Sequence, residues 1–206
     1  SPADLPKTSA FLSTEFFMSH SPKAAISSLE SKFKVLEKKE FRGETTLTVD
    51  PKLIAEVASH AKTELGFDML LDIAGVDQFG VDPRFELVYE LYSTTKGEWL
   101  RLKIQVSEDA MEVPTVSKVW PTADWHEREA YDMYGLRFAG HPDLRRILMW
   151  EGYPFFPLRK DFPLGGKPSE MPDVAFSDAA PLQGGPFVTQ PGQATTKDRE
   201  PRARGE

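Results

Sequence analysis

One short segment carries most of the side chains that could do chemistry. Glu127, Arg128, Glu129 and Asp132 all lie within six residues. Paired carboxylates can divide acid and base duties when their environments differ, so this spacing could support hydrolysis. The same spacing also predicts a structural arrangement, in which Glu127 caps a helix and Arg128 pairs with Asp132 one turn later. The structural interpretation is favoured, because no nucleophile elbow, phosphate-binding glycine loop or ordered Ser, His and Asp set accompanies these residues.

A helix of about ten residues is predicted to position these side chains. Asp124 is expected to be its N-cap, with Glu127 completing a capping box, and Gly135 is expected to end it. After the helix, His141 and Pro142 predict a short helical turn with Asp143 near its positive end. His141 is therefore interpreted as a cap or a buried hydrogen-bonding residue rather than as a metal ligand.

Two adjacent arginines follow this turn. Arg145 and Arg146 are expected to hold carboxylates of a partner protein, because the guanidinium fork binds a carboxylate through two hydrogen bonds. The alternative is that both arginines pair within the chain, with Glu127, Glu129 or Asp132.

The chain before this segment predicts a mixed set of elements. Amphipathic spacing predicts helices over 21–34 and from Asp50 to Gly66. Alternating or short apolar runs predict extended segments at 35–41, 45–49, 67–76, 85–92, 99–106 and 113–120. The run from Trp99 to Val106 alternates apolar with polar residues, which is typical of a strand with one wet face. The expected fold is α+β, a two-layer domain with a mixed or antiparallel sheet and helices mainly on one face.

Proline and glycine usage divides the chain. Residues 151–206 hold nine Pro and seven Gly in 56 positions, against eight and seven in residues 1–150. Such a segment cannot sustain helices or central strands, so 151–206 is predicted to be an extended C-terminal arm. Residues 1–20 contain few charges and predict a shorter N-terminal arm, which leaves 21–150 as the α+β domain.

Composition excludes several classes of function. The net charge of −7 argues against a protein that binds nucleic acid. The absence of cysteine excludes a disulfide framework, ordinary iron–sulfur ligation and a cysteine-rich zinc site. No apolar stretch is long enough to predict a transmembrane helix. Any redox role is therefore expected to use a cofactor that another protein holds.

The same segment resembles a known family. It is similar to the C-type subunit of NADH–quinone oxidoreductase, respiratory complex I, whose mitochondrial form is the 30-kilodalton subunit. Ten positions of the family signature are filled without a gap, namely Glu127, Arg128, Glu129, Asp132, Met133, Tyr134, His141, Arg145, Ile147 and Leu148. A second similar block runs from Pro157 to Leu164 and contains Arg159, Lys160 and Asp161. Phe156 departs from the family, which commonly has a histidine there.

The resemblance implies a non-catalytic structural subunit in the hydrophilic arm of a proton-translocating complex. It implies binding to the large D-type subunit of that arm, which together with the B-type subunit forms the quinone site, and contact with other hydrophilic-arm subunits. FMN, iron–sulfur clusters, NADH and quinone would all be held by other subunits, so catalysis would belong to the whole complex. The expected location is peripheral, on the cytoplasmic face of a bacterial inner membrane or the matrix side in mitochondria.

The resemblance also implies a role for the signature side chains at a subunit interface. These candidates are Glu127, Arg128, Glu129, Asp132, His141, Asp143, Arg145, Arg146, Arg159, Lys160 and Asp161. Two alternatives stay open, the equivalent subunit of a related membrane-bound hydrogenase or other dehydrogenase, and a stand-alone hydrolase that uses Glu127, Glu129 and Asp132.

Overall fold

The structure is a computed structural model that describes residues 22–150 and 152–163. Its elements are α1 (Lys23–Lys32), β1 (Val35–Phe41), β2 (Glu44–Val49), a 3₁₀ turn (Pro51–Leu53), α2 (Ile54–Thr63), β3 (Met69–Asp77), β4 (Phe85–Ser93), β5 (Glu98–Val106), β6 (Glu112–Pro114), α3 (Ala123–Tyr134) and β7 (Arg137–Ala139). The predicted N-terminal arm, 1–20, and residues 151 and 164–206 of the predicted C-terminal arm lie outside the described residues.

Five strands form the main sheet in the order β1-β2-β5-β4-β3. Strands β1 and β2 form an antiparallel hairpin, and β3, β4 and β5 form an antiparallel meander. The two parts join through a parallel pairing of β2 with β5, in which Leu47 faces Leu102. The sheet is therefore mixed, and the predicted α+β architecture is confirmed.

The two faces of the sheet differ in polarity. Alternate residues of β5, from Leu100 to Val106, are buried in the core with Leu87 and Tyr89 of β4. The opposite face carries charged pairs across neighbouring strands, because Arg101 contacts Glu90 and Lys103 contacts Glu86 at 2.7 Å. The predicted wet face of this hairpin is confirmed, and it leaves the core on the side that the helices cover.

The start of the second helix follows from Asp50-Pro51. The Asp50 carboxylate accepts a hydrogen bond from the backbone N–H of Lys52 at 2.9 Å, as an N-cap does, although the first turn is 3₁₀ rather than α. Helix α2 then buries Ile54, Val57 and Ala61 against the sheet. Its amphipathic spacing therefore predicts correctly which face is in the core.

The predicted extended run at 113–120 is wrong beyond its first residues. Only Glu112–Pro114 is a strand, and it pairs with β7 in parallel, Val113 opposite Phe138. After that, the N–H groups of Val119 and Trp120 both donate to the Val116 carbonyl and form a turn. The last hydrogen bond between the two strands is donated by the Thr115 N–H to the Ala139 carbonyl at 3.0 Å. The turn that follows allows the Trp120 indole N–H to donate to the Phe67 carbonyl at 3.3 Å.

The segment after β7 is packed onto the domain. We call residues 145–150 and 152–163 the strap. It contains no helix or strand, as its proline content predicts, yet Tyr153 is only 8% exposed. The Leu158 N–H donates to the carbonyl of Met133 at 3.2 Å, so the strap lies against the end of α3. Residues 152–163 of the predicted arm therefore contact their own domain.

Candidate functional site

Helix α3 carries the first part of the signature and ends as predicted at Gly135. This residue adopts the left-handed conformation, with φ of 81°, and its N–H donates to the Tyr131 carbonyl at 2.8 Å. A Cβ at this position would lie 2.8 Å from the Phe156 ring and 2.9 Å from an Arg159 nitrogen. Glycine is therefore needed twice here, for the backbone conformation and for the close passage of the strap.

The predicted capping box is not formed. The helix begins at Ala123 with Thr122 as the preceding residue, and the Thr122 side chain makes no capping hydrogen bond. Glu127 instead points into the protein, is fully buried, and accepts hydrogen bonds from the Val116 N–H at 2.7 Å and from the Thr115 hydroxyl. The spacing predicts a local cap. The turn after β6 instead brings the Thr115 hydroxyl and the Val116 N–H to this carboxylate, and it accepts hydrogen bonds from both.

Burial raises the pKa of Glu127 to about 7, even though its two hydrogen bonds oppose the shift. An acid whose folded-state pKa lies above its unfolded value binds its proton more tightly in the folded protein. Its stabilising contribution is therefore complete at low pH and declines as the pH rises from about 4.5 to about 7.

Replacing Glu127 by Gln should therefore remove this pH dependence. Gln keeps an acceptor for Val116 and can donate to the Thr115 hydroxyl, so the variant should lie within about 1 kcal/mol of the native chain at pH 7.5. Urea unfolding between pH 4.5 and pH 7.5 would measure the effect. The free energy of unfolding of the native chain should fall relative to that of the variant as the pH rises. If the difference between the two did not change from about pH 4.5 to about pH 7.5, Glu127 would be ionised over the whole range.

His141 occupies the buried hydrogen-bonding position that was predicted for it. The ring is fully buried, its Nδ1 accepts from the Asp143 N–H at 3.1 Å, and its Nε2 lies 3.2 Å from the Asp124 carbonyl. A ring that accepts at Nδ1 carries its proton on Nε2 when neutral, and that proton is directed at Asp124. The expected helical turn at His141-Pro142 is absent. The His141 side chain instead contacts Asp124 in the first turn of α3, and so links the segment after β7 to that helix.

Asp132 makes a different pair from the one predicted. It is fully buried and contacts Arg146, whose Nη1 lies 2.6 Å from Oδ1, while Arg128 takes no part. The other oxygen, Oδ2, accepts from three consecutive backbone N–H groups, those of Ile147, Leu148 and Met149, at 2.6–3.0 Å. The helix-spaced pairing of Arg128 with Asp132 was wrong, because three backbone donors and a buried arginine satisfy this carboxylate better than an i, i+4 pair does.

The two adjacent arginines have opposite roles. Arg146 pairs within the chain, as the alternative interpretation held, and also donates to the Phe155 carbonyl at 3.1 Å. Its guanidinium lies over the rings of Tyr153 and Phe156. The Arg145 side chain is 67% exposed and, among the residues that the structure describes, forms an ion pair only with the exposed Asp143, at 2.9 Å. Of the two, Arg145 is therefore the one that a partner can reach.

The remaining signature residues of α3 also separate into inner and outer positions. Arg128 is 7% exposed, and its Nε donates to the Arg145 carbonyl at 3.1 Å. Glu129 is exposed, and Trp125, one turn before it on the helix, is 62% exposed.

A second cluster holds the far end of the strap. Arg84 is at its centre and contacts three carboxylates, those of Asp77 at 2.9 Å, Glu108 at 2.8 Å and Asp161 at 2.7 Å. Asp77 also accepts from the backbone N–H of Lys160 at 2.8 Å. The hydrogen bonds from Arg84 hold the pKa values of Asp77 and Asp161 below their usual range. The guanidinium thus joins the β3–β4 hairpin to the strap.

The second predicted block contributes to the strap in three ways. Arg159 donates from Nε to the Tyr134 carbonyl at 2.7 Å and lies over the Phe156 ring. Asp161 binds Arg84, whereas the Lys160 side chain is exposed and its backbone N–H donates to Asp77. Phe156, the departure from the family pattern, therefore serves as an aromatic platform for two arginines.

Sequence reasoning missed Asp77 and Arg84. They flank the β3–β4 connection, where the Gln78 N–H donates to the Arg84 carbonyl, and both side chains are almost fully buried. An acid that ends one strand and an arginine that precedes the next are a detectable signal once the strands are known to form a hairpin. The third partner, Asp161, was a candidate from the second block, but it is 77 residues from Arg84 and no local pattern pairs the two.

These contacts fix what the arrangement can do. Glu127 and Asp132 are enclosed and use their oxygens for N–H and O–H donors, so they hold chain segments together. Among residues 22–150 and 152–163, no group of three or more His, Asp or Glu side chains is placed to hold a metal ion. Within the same residues, no helix combines the length and apolar character needed to span a membrane.

Comparison with known proteins identifies relatives over most of the described region. The family model for the respiratory-chain NADH dehydrogenase 30 Kd subunit matches residues 47–168. A C-type subunit of the NADH-quinone oxidoreductase of Rhizobium meliloti, the second form, is 51% identical over 150 residues, which are 71% of this chain and 78% of the relative. The C-type subunit of the same enzyme from Geotalea uraniireducens is 46% identical over 148 residues, which are 71% of this chain and 90% of the relative.

Two solved structures share the fold. The trypsin-resistant fragment of Nqo5 is 30% identical, with a TM-score of 0.53, and the match covers 59% of this chain and 98% of the fragment. A chain of the archaeal membrane-bound sulfane sulfur reductase, a respiratory membrane complex, is 25% identical, with a TM-score of 0.59 over 69% of this chain and 85% of that one.

Proposed function

The chain belongs to the 30-kilodalton subunit family of respiratory-chain NADH dehydrogenase, and on this premise we propose that it is a structural, non-catalytic subunit in the hydrophilic arm of a proton-translocating NADH–quinone oxidoreductase. Its partner in this proposal is mainly the large D-type subunit, beside the quinone-reducing module that the B-type subunit completes. The observation that carries the proposal is the enclosure of Glu127 and Asp132, which are used to bind the chain's own backbone.

In this proposal the chain holds no cofactor of its own. The sequence has no cysteine to ligate an iron–sulfur cluster. FMN, the clusters, NADH and quinone would be bound by other subunits, and turnover would belong to the complex. The chain would reach the membrane through those subunits, on the cytoplasmic face of a bacterial inner membrane or the matrix side in mitochondria.

The hydrolase alternative has little support from the geometry. Such an enzyme needs an open cleft in which carboxylates face a substrate and a water molecule. A cavity of about 290 Å³ beside α3 is lined by Trp125, Arg128, Arg145, Arg146 and Ile147, and by none of the three carboxylates. The relatives in NADH–quinone oxidoreductases likewise favour that complex over a membrane-bound hydrogenase.

Mass spectrometry of the proteins that co-purify with the tagged full-length chain tests the proposal. We expect the D-type and B-type subunits together with others of the hydrophilic arm. Recovery of hydrogenase subunits instead would favour the related complex. A chain recovered alone, with hydrolytic activity that is lost in a Glu129→Gln variant, would contradict the structural role.

Arg145→Ala should reduce recovery of the chain in the complex by about two- to fivefold without changing its thermal midpoint, because a charge at an interface rim contributes mainly to association. Quantitative co-purification with the D-type subunit measures it, and Lys39→Ala on the exposed edge strand β1 is the control. Equal recovery of Arg145→Ala and native chain would remove Arg145 from the interface. Arg146→Ala cannot serve here, because Arg146 is buried against Asp132.

A further inference from the structure

The cavity beside α3 has an unusual charge distribution. It has a volume of about 290 Å³ and lies between the helix, which supplies Trp125 and Arg128, and the strap, which supplies Arg145, Arg146 and Ile147. Three of its five lining residues are arginines. A cluster of arginines at one small concavity suits an anionic group, provided that their charges are not already neutralised.

Two of the three arginines are neutralised within the chain. Arg146 pairs with the buried Asp132, and Arg145 pairs with Asp143 on the surface. Among the described residues, neither carboxylate contacts Arg128 as well. One positive charge at the cavity therefore has no counterion in the part of the chain that the structure describes.

The side chain with the uncompensated charge is buried. Arg128 is 7% exposed, and its only hydrogen bond within the described residues runs from Nε to the Arg145 carbonyl at 3.1 Å. Its terminal nitrogens, Nη1 and Nη2, thus have no partner there. Burying a charged group by more than nine-tenths without a counterion costs free energy. We therefore expect the assembled protein to provide a counterion for Arg128.

The surroundings of Arg128 indicate what kind of counterion fits. The Trp125 ring lies over its guanidinium, 4.9 Å from Cζ to the ring centroid, and is itself 62% exposed. The free ends of the guanidinium form a planar fork, which matches the two oxygens of a carboxylate. The exposed indole adds apolar surface that a protein would cover and a free ion would leave in water.

We propose that this cavity is a docking site for one Asp or Glu side chain of a neighbouring subunit. The incoming carboxylate binds Nη1 and Nη2 of Arg128, Trp125 packs against the partner's surface around it, and Arg145 lies at the rim. This inference rests on the proposed function and adds the chemistry of the contact. It also separates Trp125 and Arg128, which contact the partner, from Glu127 and Asp132, which bind segments of their own chain.

The experiment uses the full-length chain in the assembled complex. A photo-crosslinking benzoylphenylalanine in place of Trp125 should link to a peptide of another subunit that contains an Asp or Glu. Arg128→Glu should lower recovery of the chain in the complex at least about tenfold, and replacing the identified acid by Arg in that partner should restore it. Arg42→Gln is the matched control, since Arg42 also lies over an aromatic ring but on an exposed hairpin.

Several results would overturn the inference. These are a crosslink to this same chain, a crosslink to lipid only, full recovery of Arg128→Glu, or failure of the charge exchange to restore recovery. A thermal shift of the chain with inorganic phosphate that Arg128→Gln abolishes would instead indicate a small-anion site. Arg128→Lys keeps the charge but not the fork, so it should fold and still lose recovery severalfold. If the native chain itself does not co-purify with other subunits, the proposed function is wrong. If the native chain co-purifies but Arg128→Glu has no effect, only the docking site is wrong.

Discussion

Asp132→Asn should lower the free energy of unfolding at pH 7 by about 3–5 kcal/mol, which is the range for breaking a buried ion pair by removing one partner. The Asp132 side chain is fully buried and makes four charge-assisted contacts, one to the Arg146 guanidinium and three to the N–H groups of residues 147–149. Asn has the same shape but no charge. Its NH₂ group would replace one carboxylate oxygen, and this donor would then face other donors. Urea unfolding of the full-length chain measures the loss.

Asp143→Asn provides the matched control for this prediction. Asp143 also pairs with an arginine through a short contact, but both partners are more than half exposed. Exposed pairs contribute about 0–1 kcal/mol, so this variant should be close to the native chain. If Asp132→Asn were no more destabilising than Asp143→Asn, the buried carboxylate would not be holding the strap.

Arg84→Gln should cost a similar amount, about 3–5 kcal/mol at pH 7, because it leaves Asp77 buried without its counterion. The Asp77 side chain is 1% exposed, and Arg84 also holds Glu108 and Asp161. The loss should extend to the strap, whose Lys160 N–H binds the same carboxylate. Chemical unfolding measures the total, and limited proteolysis near residue 160 reports the release of the strap.

The cost of Arg84→Gln should also depend on pH. The hydrogen bonds from Arg84 lower the pKa of Asp77 in the folded protein, so its contribution is present above the unfolded pKa and is lost as the pH falls through the folded one. In the variant the hydrogen bonds from Arg84 are lost, so burial, which raises the pKa of Asp77, is opposed mainly by the hydrogen bond from the Lys160 N–H. The difference between native chain and variant should therefore shrink below about pH 4.

Arg101→Gln is the control for the second cluster. Arg101 contacts Glu90 and Glu44 on the outer face of the sheet, and its side chain is one-third exposed. Its replacement should cost about 1 kcal/mol or less. Equal losses for Arg84→Gln and Arg101→Gln would mean that burial of the Arg84 cluster adds nothing to stability.

Local patterns in the sequence were sufficient for most of the fold. Period-two alternation in β5 and 3.6-residue spacing in α2 each follow from one face being buried, so both elements and their core faces were predicted correctly. Gly135 was placed correctly at the end of α3 because the left-handed conformation is a local requirement. The parallel contact of β2 with β5, in contrast, joins strands that are about fifty residues apart, and no local pattern specifies it.

The contacts of the signature residues could not be predicted from spacing. An i, i+4 pair of Arg128 and Asp132 is favourable on an isolated helix, but it is worth only a few tenths of a kcal/mol. Donors from residues 115–116 and 146–149 replaced the local partners of Glu127 and Asp132 once the chain was folded. Long-range, buried hydrogen bonds to charge outweigh local exposed ones, and sequence distance hides them.

The same contacts explain why this family signature spans two separate parts of the chain. Its helical part supplies carboxylates, and its later part supplies the backbone N–H groups and Arg146 that they bind. The result is a strap of fixed position beside α3, with Arg145 and Trp125 left exposed where the two meet. On the function proposed above, the signature builds the surface that a neighbouring subunit recognises.

Amide hydrogen exchange at residues 147–149 is the most direct measurement of this claim. In the native full-length chain these three N–H groups should exchange slowly, and Asp132→Asn should accelerate them at least about a hundredfold, while the amides of β4 and β5 remain protected. Rapid exchange at 147–149 in the native chain, or protection there that survives Asp132→Asn, would contradict it.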